Sequence, residues 1–320
     1  MDNIHNATFD DNYLKSVRDG TLKQGLGIGC GLDENLVFKY GTFNLVMGRN
    51  NVGKTDWLLW YMVALSVRHK ISWLVFSSEN RIGSLKRKIL QFWTGKDLAN
   101  LTEDEFNEAN RNMNFYFKFI KTDKLYEAGA LLKIFEENKE QFDAAIIDPY
   151  NSLTIPSGVN QHLYDYEVAA RIRLFCIKEN KSVYIVAHAA TDSLRRVHPK
   201  GHQYAGFPSP PNEADIEGGG KWGNKTDDFI VIHRYTSHKA EWMYTHVHVK
   251  KVRETETGGK PTFIDDPIVC YRHFNSFLID RKDAITGETK PEKPLPTDEM
   301  TLFEKGEAAI EAEKDDDLPF

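Results

Sequence analysis

The chain has 320 residues, 41% hydrophobic and 28% charged, a balance that excludes collagen-like, wholly disordered and membrane-embedded classes. No apolar run approaches the roughly 18–20 residues of a spanning helix, and Met1 to Tyr13 join acidic side chains to no apolar stretch, so they do not read as a secretory signal. The net charge of −6 is unevenly placed: residues 283–320 hold 12 acidic and 4 basic residues, which leaves the remaining body at +2.

Taken in order, residues 1–40 read as an N-terminal linker or subunit-contact segment. Thr42–Met47 reads as a strand, Asp56–Val67 as a helix and Ser72–Phe76 as a second strand. A helix is expected at about Gly83–Trp93, and Thr102-Glu-Asp-Glu105 has capping-box spacing for another that reaches about Met113. Tyr126–Asn138 is helical by period and Ala144–Ile147 is a buried strand ending at Asp148. Tyr164–Asn180 is helical and Ser182–Ala187 a strand. The Gly- and Pro-rich stretch Ala189–Gly220 fits no regular element and reads as a functional loop. Phe229–His233 and Trp242–Val252 follow as strands, with one or two more in Thr262–Ile279. Strands alternating with helices predict an α/β fold over residues 41–282, with a largely parallel twisted sheet flanked by helices and an antiparallel edge. Residues 283–320, acidic and rich in proline, bury too little apolar surface to offset their ordering entropy and read as a disordered tail, with a short helix near Thr301–Glu313. Cys30, Cys176 and Cys270 lie too far apart for a disulfide framework or a zinc site, which suits a reducing compartment and a cytoplasmic location.

Chemistry concentrates at strand ends. Gly48-Arg49-Asn50-Asn51-Val52-Gly53-Lys54-Thr55, followed by Asp56, fits G-x-x-x-x-G-K-[ST] between a predicted strand and a predicted helix. Such a loop turns backbone N–H groups and a helix N-terminus onto a phosphate. Lys54 is placed to reach the β/γ-phosphates of ATP and the Thr55 hydroxyl to ligate Mg²⁺. Asp148, closing Ala-Ala-Ile-Ile, is the second acid for the hydrated metal. Glu79, in Ser77-Ser-Glu-Asn80, is the carboxylate to orient or deprotonate the attacking water. His188 ends Val-Ala-His and reads as the γ-phosphate sensor on the same rim, where ligands bind in open parallel sheets.

These features, with Gly95-Lys-Asp97, Thr102–Phe106, Phe142–Asn151, Gly218–Asp228 and Val249-Lys-Lys-Val-Arg253, run in one order over residues 20–280. The ordered set resembles the RecA-like P-loop motor domain of hexameric replicative helicases of the DnaB/Twinkle type, more on the Twinkle and phage primase-helicase side. The resemblance implies an ATP-hydrolysing DNA helicase that translocates on single-stranded DNA as a homo-hexameric ring. It makes Glu79 the catalytic carboxylate, Asp148 the metal-associated acid and His188 the link between nucleotide state and DNA-binding loops. It implies that Lys251 and Arg253 enter the neighbouring subunit's nucleotide site, and that Arg234 and Phe274 sandwich the base. The loops after Asp148 and His188 would face a central channel, with Arg195, Arg196, Lys200, Lys221 and Lys225 gripping the strand.

The final residues, Asp315, Asp316, Asp317, Leu318, Pro319 and Phe320, resemble the acidic tip of bacterial single-stranded-DNA-binding proteins, which implies docking to a replication partner such as a primase or polymerase. Two alternatives share the same core. One is a RecA-type recombination or repair ATPase, the other a nucleotide-gated scaffold that recruits partners through its tail.

Overall fold

Apolar runs too short for helices set the centre of the molecule. A computed structural model describes residues 11–216 and 221–289. In chain order these form α1 (Asp11–Arg18), β1 (Phe43–Gly48), α2 (Lys54–His69), β2 (Trp73–Ser77), α3 (Ile82–Thr94), α4 (Glu103–Tyr116), β3 (Phe117–Phe119), α5 (Ala128–Glu137), β4 (Ala144–Asp148), α6 (Gln161–Glu179), β5 (Ser182–His188), α7 (Lys221–Lys225), β6 (Asp228–His233), β7 (Tyr244–Val252), β8 (Ile268–His273), β9 (Ser276–Ile279) and β10 (Lys282–Asp283).

All ten strands join one sheet in the order β10-β9-β8-β7-β6-β1-β5-β4-β2-β3. Pairing is parallel from β6 through β3 and antiparallel from β6 through β10. Strands β1, β2 and β4 are buried along their whole length, as parallel strands covered on both faces must be. One face packs α2, α3 and α4 against Val46, Val75, Ile146, Val186 and Ile230. The other packs α5, α6 and Trp222 of α7 against Leu45, Phe76, Ile147, Ile185 and Phe229. Helix α2 is apolar on nearly all sides because it lies between the sheet and α3, with Trp60 edge-on to Phe277 of β9 at 5.5 Å.

Local chemistry explains the ends. Thr102 caps α4 in a full capping box with Glu105, a device worth about 1 kcal/mol. The helix runs to Tyr116, past the expected end near Met113, because its last turn feeds directly into β3. That three-residue strand is too short to show a period in the sequence. Helix α2 begins at Lys54, two residues before the expected start, because Gly53 takes φ +85°, a left-handed conformation that turns the loop straight into the helix. The loop 189–216 contains two short 3₁₀ turns, Thr191–Arg195 and Glu213–Asp215, where no regular element was expected.

Residues 26–40, read from sequence as linker, contribute Ile28, Leu32, Leu36 and Phe38 to the core, with Leu26 bridging Phe38. At the other end, Asp283 pairs with Leu278 and Ala284 is fully buried, so the chain is still folded onto the sheet past the boundary expected at 282. The expected helix at 301–313 and the acidic tip Asp315–Phe320 lie outside the described residues, as do Gly218–Gly220 and the side chain of Lys221. No helix among the described residues is long and apolar enough to cross a membrane.

Candidate nucleotide-binding site

The parallel register brings four strand ends to one rim. Gly48 lies opposite His188, and Ser77 opposite Asp148. Gly48 has no room for a side chain: a Cβ there would stand 2.4 Å from the Ile232 carbonyl oxygen. Lys54, at the start of α2, is buried and turns back over the loop, where its Nζ donates to the carbonyls of Gly48 (3.0 Å) and Arg49 (2.8 Å). His188 Nδ1 lies 3.3 Å from the same ammonium, and His188 Nε2 lies 3.3 Å from Glu79 Oε1. Accepting at Nδ1 leaves Nε2–H to donate to Glu79, so the ring bridges lysine and carboxylate. The backbone N–H of His188 donates to Asn151 Oδ1 at 3.1 Å.

Across the cavity, Thr55 Oγ1 donates to Asp148 Oδ2 at 2.9 Å, and Ser77 Oγ reaches the same oxygen at 3.4 Å. Lys54, Thr55, Glu79, Asp148 and His188 line one cavity of about 840 Å³ together with Asn50, Asn51, Gly53, Asp56 and Arg234. Sequence reasoning had not singled out Asn80, Lys88, Ala189 and Thr191, which line it too. Asn80 could have been found beside Glu79, where it donates to Ser77 Oγ at 3.3 Å. Lys88, ion-paired to Asp56, carries no signal in sequence because its partner lies on another helix.

Burial sets the electrostatics. It pulls the Lys54 ammonium down to about 8, against the opposing pull of Asp148 and Glu79. Burial also raises Asp148, with the Thr55 hydroxyl acting in the other direction. A carboxylate held in such a place gains from a cation. Among the described residues no cluster of three or more His, Cys, Asp or Glu side chains could hold a metal. The donors on hand, a hydroxyl and one buried carboxylate, fit Mg²⁺ held jointly with water and phosphate oxygens, the usual mode for that ion.

Some expected residues stand elsewhere. The Arg49 side chain turns away from the cavity into the loop 189–216, because carbonyls of that loop satisfy it. Val52 is buried in the core rather than lining the cavity, and Gly48 contributes only its carbonyl to Lys54. Arg234 reaches the cavity while its guanidinium donates to the Trp242 carbonyl. Phe274 sits in the β8–β9 turn at φ +47°, against His273 and outside the cavity lining, because the strands between carry it away from β1.

Lys251 and Arg253 lie at the opposite edge of the sheet, since β7 runs antiparallel and Lys251 faces Phe229 at the start of β6. Lys251 Nζ donates to the carbonyls of Gly223 (2.7 Å) and Thr226 (2.8 Å). Arg253 lies 3.3 Å from Asp227 Oδ1. These bonds hold both side chains away from the subunit's own cavity. Of the residues expected on the strand path, Arg195 and Lys200 are exposed, Arg196 is paired with Asp215, and Lys225 lies 4.4 Å over the Tyr166 ring.

A strand–loop–helix phosphate cradle, facing an acid, a carboxylate and a histidine on neighbouring parallel strand ends, defines a RecA-like P-loop NTPase domain. Comparison with known proteins agrees with that class. No protein-family model matches the chain. The Twinkle homolog protein, chloroplastic/mitochondrial, of Arabidopsis thaliana is 25% identical over 284 residues, 82% of this chain. The chain spans 37% of that relative's length. Among solved structures, an ATPase domain superposes with a TM-score of 0.68 at 12% identity, covering 86% of this chain and 99% of that one. A DnaB-like replicative helicase, described with its interactions with primase, superposes with a TM-score of 0.64 at 12% identity, covering 87% and 67%. The fold of this chain is therefore that of the ATPase domain of DnaB-like helicases.

Proposed function

We propose that this chain is an ATP-hydrolysing DNA helicase motor that translocates on single-stranded DNA as a ring of identical subunits, hexameric in number. The observation that carries the reading is the division of the machinery between two edges of one sheet. Lys54, Thr55, Glu79, Asp148 and His188 share one rim, while Lys251 and Arg253 lie at the other. Two bases that cannot reach their own subunit's nucleotide are placed to enter a neighbour's site, where an arginine supplied in trans raises the rate of phosphoryl transfer by about 10³–10⁵.

In this reading Lys54 holds the transferred phosphate, Thr55 and Asp148 hold the Mg²⁺ side, and Glu79 orients the attacking water, with His188 reporting its state to the loop that follows. Mg²⁺ would neutralise charge on the β- and γ-phosphate oxygens. Arg234, which reaches the cavity, is the proposed base contact. The loop at 189–216 grips the strand through Arg195, Arg196 and Lys200, beside the loop at 151–161, and Lys221 and Lys225 of α7 are the further proposed strand contacts. Similarity to the Twinkle homolog and the shared fold with a DnaB-like replicative helicase support the assignment. A primase or polymerase docking on the acidic segment Asp315–Phe320, and a cytoplasmic location, complete the proposal.

A forked-duplex unwinding assay on the wild type and Glu79→Gln, with mass photometry in ATP analogue and oligonucleotide, tests it. Unwinding by the wild type alone and a particle of six subunits are expected. Monomers only, with turnover that survives Lys251→Ala and Arg253→Ala, would refute the ring.

A further inference from the structure

Arg49 belongs to the phosphate loop by sequence but to a different structure by its side chain. It is 8% exposed. Its Nη2 donates to the carbonyls of Ser193 (2.6 Å) and Ser209 (2.8 Å), and its Nε donates to Ser193 Oγ at 3.2 Å. Nη1 is buried with no partner among the described residues. A guanidinium keeps its charge when buried and offers a flat fork of donors, so one residue can hold two separate backbone segments.

The two segments are the sides of one stem. The loop 189–216 is closed at its base by Ala190 N–H donating to Asp215 O at 2.7 Å. It is zipped again where Ser209 N–H donates to Arg196 O and His198 N–H to Phe207 O, each at 2.9 Å. Ser193 lies on the outgoing side and Ser209 on the returning side, so Arg49 clasps the stem from the phosphate loop.

The main chain of Arg49 is engaged on the other side. An ammonium has three protons, and Lys54 directs them at Gly48 O, Arg49 O and His188 Nδ1. A phosphate oxygen that binds Lys54 must take one of these three places. All three acceptors lead into the same loop: Gly48 O also accepts the Ala189 N–H at 3.2 Å, His188 enters it through the chain, and Arg49 grips it through the guanidinium. We propose that Arg49 is a positioning residue that ties phosphate occupancy at Lys54 to the placement of the loop 189–216, and so to Arg195, Arg196 and Lys200. That the loop meets DNA rests on the function proposed above; the tie between phosphate and loop does not.

Hydrogen exchange of the full chain, read over residues 190–210 with and without a saturating non-hydrolysable ATP analogue and Mg²⁺, tests the tie directly. In the wild type the analogue is expected to change exchange in this stretch by about fivefold or more, the lower end of ordinary coupling between sites. In Arg49→Met the exchange rises in both conditions and the analogue-dependent difference disappears. Arg49→Gln, which keeps one donor without the fork, should fold if Arg49→Met does not, and should lose most of that difference. A purely structural clasp would raise exchange yet leave the analogue's effect intact. That outcome in either variant, or a wild-type loop indifferent to the analogue, overturns the inference. Single-strand affinity measured in parallel separates the two readings: a wild type whose loop responds to the analogue but which binds no oligonucleotide refutes the DNA role and leaves the tie standing.

Discussion

One face of the sheet is covered in two different ways. Over β1, β4 and β5 the cover is α5 and α6, and the contact is apolar throughout, with Leu131, Phe135, Val168 and Ile172 against Leu45, Ile147 and Ile185. Over β6 and β7 the cover is the loop 189–216, and the contact is made of histidines and tyrosines. Tyr204 stacks on Tyr235 at 3.9 Å, His198 bonds the Tyr235 hydroxyl at 2.9 Å, and His233 and His246 stand edge-on to the Tyr235 ring. His233 and His248 are buried with neither ring nitrogen hydrogen-bonded among the described residues. Helices on an apolar seam bring no histidine to the contact. The loop is held instead by aromatic edges, an arginine clasp and a few backbone bonds, over two strand imidazoles without hydrogen-bond partners among the described residues.

The sharpest break between the two halves is chemical. Glu79→Gln is expected to lower ATP turnover by about 10²–10⁴-fold while nucleotide binding persists, as measured by steady-state hydrolysis and a fluorescent-nucleotide titration. Turnover that is little changed would remove the rim from the mechanism.

Acid should separate the two covers next. Burial holds His233 down to about 2 and His248 to about 3, with Arg49 and Lys250 respectively, and the neighbouring histidines, adding to the effect. Folded values below the unfolded value of about 6.5 mean that these groups cost nothing above it and cost stability as pH falls below it. Lowering pH from 7 to 5 should therefore cost on the order of 2 kcal/mol for each, seen as a fall in the urea midpoint. His248→Leu should flatten that pH profile, and exchange in the loop should rise in acid before exchange in α5 and α6. Equal loss in both covers would erase the contrast.

On the rim itself, the Lys54 value of about 8 gives a bend in ATP affinity. Below that pH the ammonium is present and affinity is level; above it, affinity falls by up to about tenfold per pH unit until the bound form also deprotonates. Isothermal titration between about pH 6.5 and 9.5 reads the bend, and Lys54→Arg removes it.

The smallest expected effect is in salt dependence. Arg195→Ala and Lys200→Ala should each reduce the slope of log affinity for single-stranded DNA against log salt by roughly one contact's worth, about 0.7. Lys133→Ala, on the helix-covered half, should leave the slope unchanged. A slope unaffected by all three would move the strand away from the loop.

The phosphate loop was legible because its chemistry is local: Gly53, Lys54 and Thr55 must be adjacent for backbone, ammonium and hydroxyl to converge. Asp148 and His188 were legible because parallel strands deliver their carboxyl ends to one rim, so an apolar run ending in Asp or His already places that residue. Residue identity and order alone thus determined the RecA-like α/β architecture and most of the rim. What only the tertiary structure decided depends on partners far away in the chain. Arg49 is 144 and 160 residues from the serines it clasps. Residues 26–40 became core because Leu26 pairs with Phe38 and the segment packs beside β9 and β10. The aromatic, histidine-rich cover of β6 and β7 arises from a loop whose sequence has no period to read. Short-range spacing records what adjacent groups do together; a buried charge, a hidden histidine and a folded-back segment exist only where distant parts of the chain meet.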